Sequence, residues 1–166
     1  MDATFPVDGA VFNYRAAAVL TKNDHVLLHK QVHESHWALP GGRVAILEDS
    51  QTTVKREIME ELGWSIDVHR LLWITENFFE YNDRNYHEIG MYYLASTAKA
   101  IEATTDVFYG EEGGRLIYQW VSLDDLENKT LVPKFLKSSL LELPAAPEHK
   151  LIFDNFRGNN QEKERE

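Results

Sequence analysis

The 166-residue sequence contains no cysteine. That absence excludes a disulfide framework, a thiolate metal centre and a cysteine nucleophile together, and a cytoplasmic address fits it best. Glycine and proline are scarce, at nine and five residues, so collagenous and low-complexity classes are excluded as well. Positive charge is in deficit: 17 Lys and Arg against 27 Asp and Glu leave a formal charge of −10. A general nucleic-acid binder needs a basic face to displace counterions, so the balance argues against that partner. No apolar run approaches the ~18 residues of a membrane span, and the opening MDATFPVDGA lacks the charged and apolar regions of a signal peptide. What remains is a chain 43% hydrophobic and 11% aromatic. At this length folding buries some 70% of the unfolded surface, enough for one well-packed core. The expected organisation is a single domain over residues 1–156 and a solvated tail over 157–166.

Two short apolar runs, Tyr14 to Thr21 and His25 to Lys30, flank Asn23-Asp24 and predict a β-hairpin. A second hairpin is expected where Leu71 to Tyr81 and Tyr86 to Ala95 flank the polar residues Asn82 to Asn85. Between them, Val54, Ile58 and Leu62 recur every four residues. Asp49 or Ser50 can cap the start and Gly63 can end it, so Ser50 to Leu62 reads as a helix. Leu116 to Val121 and Leu151 to Phe153 are further strand candidates, and Pro133 opens a second helix expected to run to about Leu143.

The first helix carries an arrangement that stability alone does not favour. Glu57, Glu60 and Glu61 stand at i, i+3 and i+4, which crowds three carboxylates into one quadrant beside the apolar stripe. Like charges at this spacing cost a few tenths of a kcal/mol per pair (~0.2–0.5), and more as solvent is lost. Arg56 can neighbour Glu60, but one guanidinium does not neutralise these three acids plus Glu48. Hard oxygens held this way suit Mg²⁺ or Mn²⁺. An ordinary acidic solvent face is the commoner explanation of such a helix taken alone.

The spacing decides between them. From Gly42 the chain runs five residues to Glu48, seven more to Arg56, then Arg56-Glu57-Ile58-Met59-Glu60-Glu61-Leu62-Gly63-Trp64. This resembles the Nudix box, the signature of the Nudix hydrolase family. Seven fixed positions match, and at about 5–7% usage per residue type a chance match falls below about 10⁻⁶. Ala16 to Lys30 resembles the family's opening hairpin, Trp37 to Gly42 its entry to the box, and Trp120 to Leu126 the segment after its last long strand. The resemblance implies an α/β (α+β) fold, the Nudix-like α/β/α sandwich with a central mixed β-sheet. Three positions depart from it. Leu47 stands where many relatives have glycine, which changes the dihedral demand of the loop, and Ala45 stands where many have an acid. Trp64 occupies a normally aliphatic position.

The activity implied is hydrolysis of a nucleoside diphosphate linked to another moiety, by attack of water on phosphorus with Mg²⁺ or Mn²⁺ as cofactor. The substrate is a small-molecule nucleotide derivative of the nucleoside triphosphate, dinucleoside polyphosphate or nucleotide-sugar class. On this resemblance Glu57 and Glu61 are the principal metal ligands, Glu60 a further one, and the Gly42 carbonyl completes the set. Arg56 and Glu48 orient the glutamates from outside the metal. Glu112, in the loop Tyr109 to Gly114, reads equally as the general base or as part of an acidic turn, and Glu76 and Glu88 are further candidates. Arg15 and Arg43 are candidate phosphate contacts, with surface charge pairing slightly favoured for Arg15. Tyr81 lies where dinucleoside-polyphosphate hydrolases of the family carry a tyrosine. Phe78, Phe79, Tyr86, Tyr92 and Tyr93 offer stacking surfaces, about half of which strand alternation should send to the core. His25, His29, His33 and His36 read as surface residues. Family members are often dimers, so a homodimer is compatible with the resemblance. The alternative is a nucleotide-binding sensor that does not cleave its ligand; such sensors often lose a box glutamate, and all three are present here.

Overall fold

A computed structural model describes residues 1–99 and 105–154; the expected tail over 157–166 lies outside the described residues. The elements, in chain order, are β1 (Thr4–Val7), β2 (Ala10–Lys22), β3 (His25–Gln31), β4 (Gly41–Arg43), α1 (Ser50–Leu62), β5 (Ile66–Tyr81), β6 (Arg84–Thr97), β7 (Phe108–Tyr109), β8 (Leu116–Ser122), α2 (Leu136–Ser139) and β9 (Glu148–Ile152). Short 3₁₀ turns cover Gly113–Arg115 and Leu123–Asn128.

Both expected hairpins form. Asn23 and Asp24 take φ of 50° and 59°, and Asn82 and Asp83 take 49° and 58°, the left-handed pair that a two-residue turn between right-twisted strands requires. The strands run in the order β7-β8-β3-β2-β6-β5-β9, with β1 and β4 also paired to β2. β2–β6 and β5–β9 are parallel and the other pairs antiparallel, so the sheet is mixed. β2 touches β3 only at Thr21 and Lys22, and β4 meets β2 at residues 15–17. The two halves of the sheet therefore splay apart below the hairpin, and a cleft opens between them.

One apolar cluster lies under α1, where Val54, Ile58 and Leu62 meet Ala16, Ala18 and Leu20 of β2. Asp49 caps the helix, its carboxylate accepting from the Thr52 N–H at 2.9 Å, and Gly63 ends it at φ 67°. The second cluster, on the opposite face, joins Ala17, Val19 and Trp73 to Leu126, Leu136 and Leu140. The second helix is shorter than its sequence suggests: α2 is a single turn. Burying Leu136 and Leu140 needs no more than that turn, and the Ser138-Ser139 pair does little to propagate a helix.

Leu47 meets the dihedral demand that its side chain opposes, taking φ 68° with the side chain fully in solvent. Val44 packs inward, and the box loop is tied to the amino terminus through an Asp2–Ala45 bridge and an Ile46 N–H to Met1 carbonyl bond of 2.8 Å. Trp64 stacks between Phe108 and Trp120, which anchors β7 over the end of the helix.

Candidate active site

The cleft in the split sheet is a cavity of about 1030 Å³. Gly41, Gly42, Glu57 and Glu61 line it, together with Arg15, Glu88, Tyr81 and Tyr86. β4 reaches β2 only because Gly41 has no side chain, since a Cβ there would overlap the Ala16 carbonyl; a Cβ on Gly42 would instead overlap the Glu57 carboxyl group.

Arg56 organises one flank. Its Nε donates to both Glu48 oxygens at 3.1 and 3.2 Å, and its Nη1 donates to Glu57 at 2.6 Å and to Glu60 at 3.3 Å. Thr53 Oγ1 donates to the same Glu48, and these bonds hold that carboxyl below its ordinary range. One guanidinium thus touches three of the four acids, more than the sequence suggested. Glu61 is the one left out. Its side chain is 8% exposed against 51% for Glu60, and it accepts from the Tyr118 hydroxyl at 2.9 Å. Burial first, and then the charge of Glu57, push the Glu61 carboxyl up to about 7 against the Tyr118 bond. Burial also raises Glu57, although the Arg56 hydrogen bond opposes it.

Two raised carboxyls one turn apart, with Gly42 cradling one of them, fit a divalent cation: Mg²⁺ commonly binds through one or two carboxylates plus substrate phosphate. Among the described residues no three His, Cys, Asp or Glu side chains converge on a single point. Glu57 and Glu61 therefore supply a partial shell of the kind that a phosphate would complete.

The raised Glu61 has a measurable consequence. Its carboxyl ionises near 4.5 in the unfolded chain and near 7 in the metal-free fold, so the two states differ only above pH 4.5. As pH rises through that window the unfolded chain releases its proton first, and the fold loses up to about 3 kcal/mol of relative stability. Glu61→Gln is expected to raise the melting temperature in EDTA at pH 8 and to leave it near wild type at pH 4; an equal difference at both pH values would contradict this.

Other candidates are placed as follows. Arg15 is not a surface pair; its Nη2 donates to the Leu39 carbonyl at 3.0 Å, and it lines the cavity. β2 carries it inward because Asn13, Arg15 and Ala17 share one face of the strand. Arg43 lies at the mouth, exposed and 4.0 Å from Asp2. Tyr81 lines the cavity with its hydroxyl donating to Glu34. Glu112 is exposed, bonded to Arg115 at 3.0 Å, and is not a wall residue. Its loop nonetheless docks on the helix, the Glu111 N–H donating to the Glu61 carbonyl at 2.7 Å. Glu76 is paired with His149 outside the cavity, whereas Glu88 is buried inside it. Phe79, Tyr86 and Tyr92 also face the cavity, while Tyr93 packs under α1 and Phe78 stacks on Phe153.

His29 departs from its expected surface position. It is buried in the cavity wall 4.0 Å from Glu61, and burial, then Arg15 and Arg115, push it down to about 3. Asn13, Asn77 and Tyr118 were not singled out from sequence. Strand alternation gives them a face, but only the pairings of β2 and β5 with β6 set Asn13 and Asn77 in the cavity wall, and only the pairing of β3 with β8 fixes the strand that carries Tyr118 to Glu61.

This cleft and box belong to a known class. The NUDIX domain model matches residues 12–142, and the chain belongs to the Nudix family. Nucleoside triphosphatase NudI of Klebsiella pneumoniae (strain 342) is 32% identical over 122 residues, covering 68% of this chain and 84% of that protein. YjhB of Bacillus subtilis (strain 168), whose name proposes ADP-ribose pyrophosphatase activity, is 27% identical over 154 residues, 89% of this chain and 65% of that one. A Caenorhabditis elegans protein, whose name proposes nudix hydrolase 1, is 40% identical over 67 residues, 36% of this chain, and the match spans 18% of that longer protein. A NUDIX hydrolase structure from Nitrosomonas europaea superposes with a TM-score of 0.59 at 17% identity, covering 84% of this chain and 77% of that one, and shows the shared fold. No helix among the described residues is long and apolar enough to cross a membrane.

Proposed function

We propose that residues 1–156 form one domain that hydrolyses, with Mg²⁺ or Mn²⁺, a pyrophosphate bond in a nucleoside diphosphate linked to another moiety. The observation that carries this reading is the meeting of Gly42, Glu57 and Glu61 in one cavity wall, with Arg15 beside them. Glu57 and Glu61 would hold the cation together with the Gly42 carbonyl. Bound there, a divalent ion draws charge from the phosphate oxygens and lowers the barrier to attack by water.

The residues of the chain do the rest. Arg56 fixes the Glu57 carboxylate and is itself fixed by Glu48, so the ligand needs little reorganisation. Arg15 and, at the mouth, Arg43 offer cations to the substrate phosphates. Tyr81 lines the cavity as a substrate contact. Glu60 as further ligand and Glu112 as general base belong to the proposal, and each requires its arginine pair to open. In the reaction a water oxygen bonds to phosphorus, the bond from that phosphorus to the bridging oxygen breaks, and the base takes the water proton.

Nucleoside triphosphates, dinucleoside polyphosphates and nucleotide sugars or ADP-ribose are the substrate classes supported; the names of NudI and YjhB favour the first and the last. The proposal also includes the cytoplasmic location read from the absence of cysteine, and extends the small-molecule partner and the homodimer of the family resemblance to this chain. The test is phosphate release across nucleoside triphosphates, dinucleoside polyphosphates, ADP-ribose, NDP-sugars and NADH, with Mg²⁺, with Mn²⁺ and in EDTA. Turnover of at least one class is expected with metal and none in EDTA. Tight binding without turnover across the whole panel would favour the sensor.

A further inference from the structure

The strand register sets four polar side chains in one row. Thr4 on β1 opposes Asn13 on β2, Asn13 opposes Glu88 on β6, and Glu88 opposes Asn77 on β5. Thr4 Oγ1 donates to Asn13 Oδ1 at 2.7 Å, which turns the amide so that its Nδ2 donates to Glu88 Oε2 at 2.6 Å. Asn13, Glu88 and Asn77 are each 6–7% exposed, and all three line the cavity. The Asn77 Oδ1 has no hydrogen-bond partner. Folding does not call for such a row: burying an unmet acceptor opposes stability, and three apolar side chains would pack the same strands.

Its surroundings point to a ligand. The next row outward pairs Phe79 with Tyr86 across β5 and β6, stacked at 5.1 Å and 8° and lining the cavity. The next row inward carries Arg15, and one residue further Ala16 opposes Gly42, against which Glu57 rests. Asn13 is three residues along β2 from Ala16, about 10 Å at the rise of an extended strand. The row that holds Glu88 is therefore not level with Gly42, on which Glu57 rests. The offset is about what a ribose phosphate spans between a polyphosphate and its base.

We propose that Asn13, Glu88 and Asn77 read the hydrogen-bonding edge of the substrate's nucleobase, with Phe79 and Tyr86 against its ring. This rests on the proposed function for the position of the phosphates. The Asn77 carbonyl accepts a base N–H, and the Glu88 carboxyl, with one oxygen engaged by Asn13, presents the other. Burial pushes Glu88 above the usual carboxylate range, although Arg15 and the Asn13 bond oppose it. In its protonated form the carboxyl donates to a ring nitrogen, and in its ionised form it accepts from an N–H. A flat aromatic wall suits a planar heterocycle better than a hydroxyl-rich sugar ring.

The test is equilibrium titration of the full chain in excess Mg²⁺ with AMP, GMP, CMP, UMP and ribose 5-phosphate, none of which has an anhydride to cleave. At least one nucleotide is expected to bind about tenfold tighter than ribose 5-phosphate, the size of one or two good hydrogen bonds. Asn77→Ala and Glu88→Gln are each expected to shrink that ratio severalfold. Ribose 5-phosphate binding as tightly as all four nucleotides would overturn the proposal, as would an unchanged ratio in Asn77→Ala with wild-type circular dichroism. Because turnover is not read, the hydrolase proposal stands or falls separately, on the substrate panel.

Discussion

Glu57→Gln is expected to lower phosphate release on the best substrate about 10³-fold or more, with the fold intact. The substitution keeps the size of the side chain and leaves an amide oxygen for the Arg56 Nη1 that now donates to Glu57 at 2.6 Å. What it removes is a full negative charge where a cation would sit. A factor of 10³ corresponds to about 4 kcal/mol of transition-state stabilisation, within the several kcal/mol that a well-placed metal supplies. Folding should not suffer, because burial already raises the Glu57 carboxyl and opposes its charge. The measurement pairs initial rates with thermal melts, each with and without Mg²⁺. Wild-type protein should gain melting temperature with metal, and the variant should gain less. Wild-type rates in the variant would remove Glu57 from the metal site.

Gly42→Ala is the second large effect, expected at about 10²-fold in kcat. A Cβ at this position would overlap the Glu57 carboxyl group, the movable end of a long side chain, whereas at Gly41 it would overlap the Ala16 carbonyl in the backbone of the adjacent strand. The two glycines should therefore fail differently. Gly41→Ala is expected to pry β4 from β2 and to destabilise the fold. Gly42→Ala should leave the sheet in place and push the Glu57 carboxylate off its position, and a misplacement of about 1 Å is enough to cost 10²-fold. Circular dichroism and melting temperature near wild type, together with the loss of rate, are the expected pair of results. An active Gly42→Ala variant would show that Glu57 is not held at this glycine during turnover.

The box was legible because its chemistry is local. Glu57, Glu60, Glu61 and Arg56 lie within one helix, where a 3.6-residue period fixes which side chains meet, and Asp49 and Gly63 punctuate its ends. Both hairpins were legible for a similar reason, since Asn-Asp turns specify their own register. The division of labour among the glutamates was not. Glu60 and Glu61 are neighbours in sequence, yet one faces Arg56 in solvent and the other is sealed against Tyr118, a residue 57 positions away. The short second helix was misjudged because its leucines are satisfied by one turn against a sheet whose shape the sequence does not print.

The strands beyond the box show the same boundary. Alternation says that Asn13, Arg15 and Ala17 share a face, and that Glu88 shares one with Tyr86, but not that these faces adjoin. Only the parallel pairing of β2 with β6 places Asn13 beside Glu88 and turns Arg15 from a surface charge into a cavity wall, as only the pairing of β3 with β8 sets His29 against Tyr118. By itself, then, the sequence determined the family, the carboxylate helix and the turns, because each is set by interactions within a few residues. The tertiary structure decided which acids are desolvated, which cations face them and where a base could be read, because burial and long-range register are properties of packed strands that no single segment encodes.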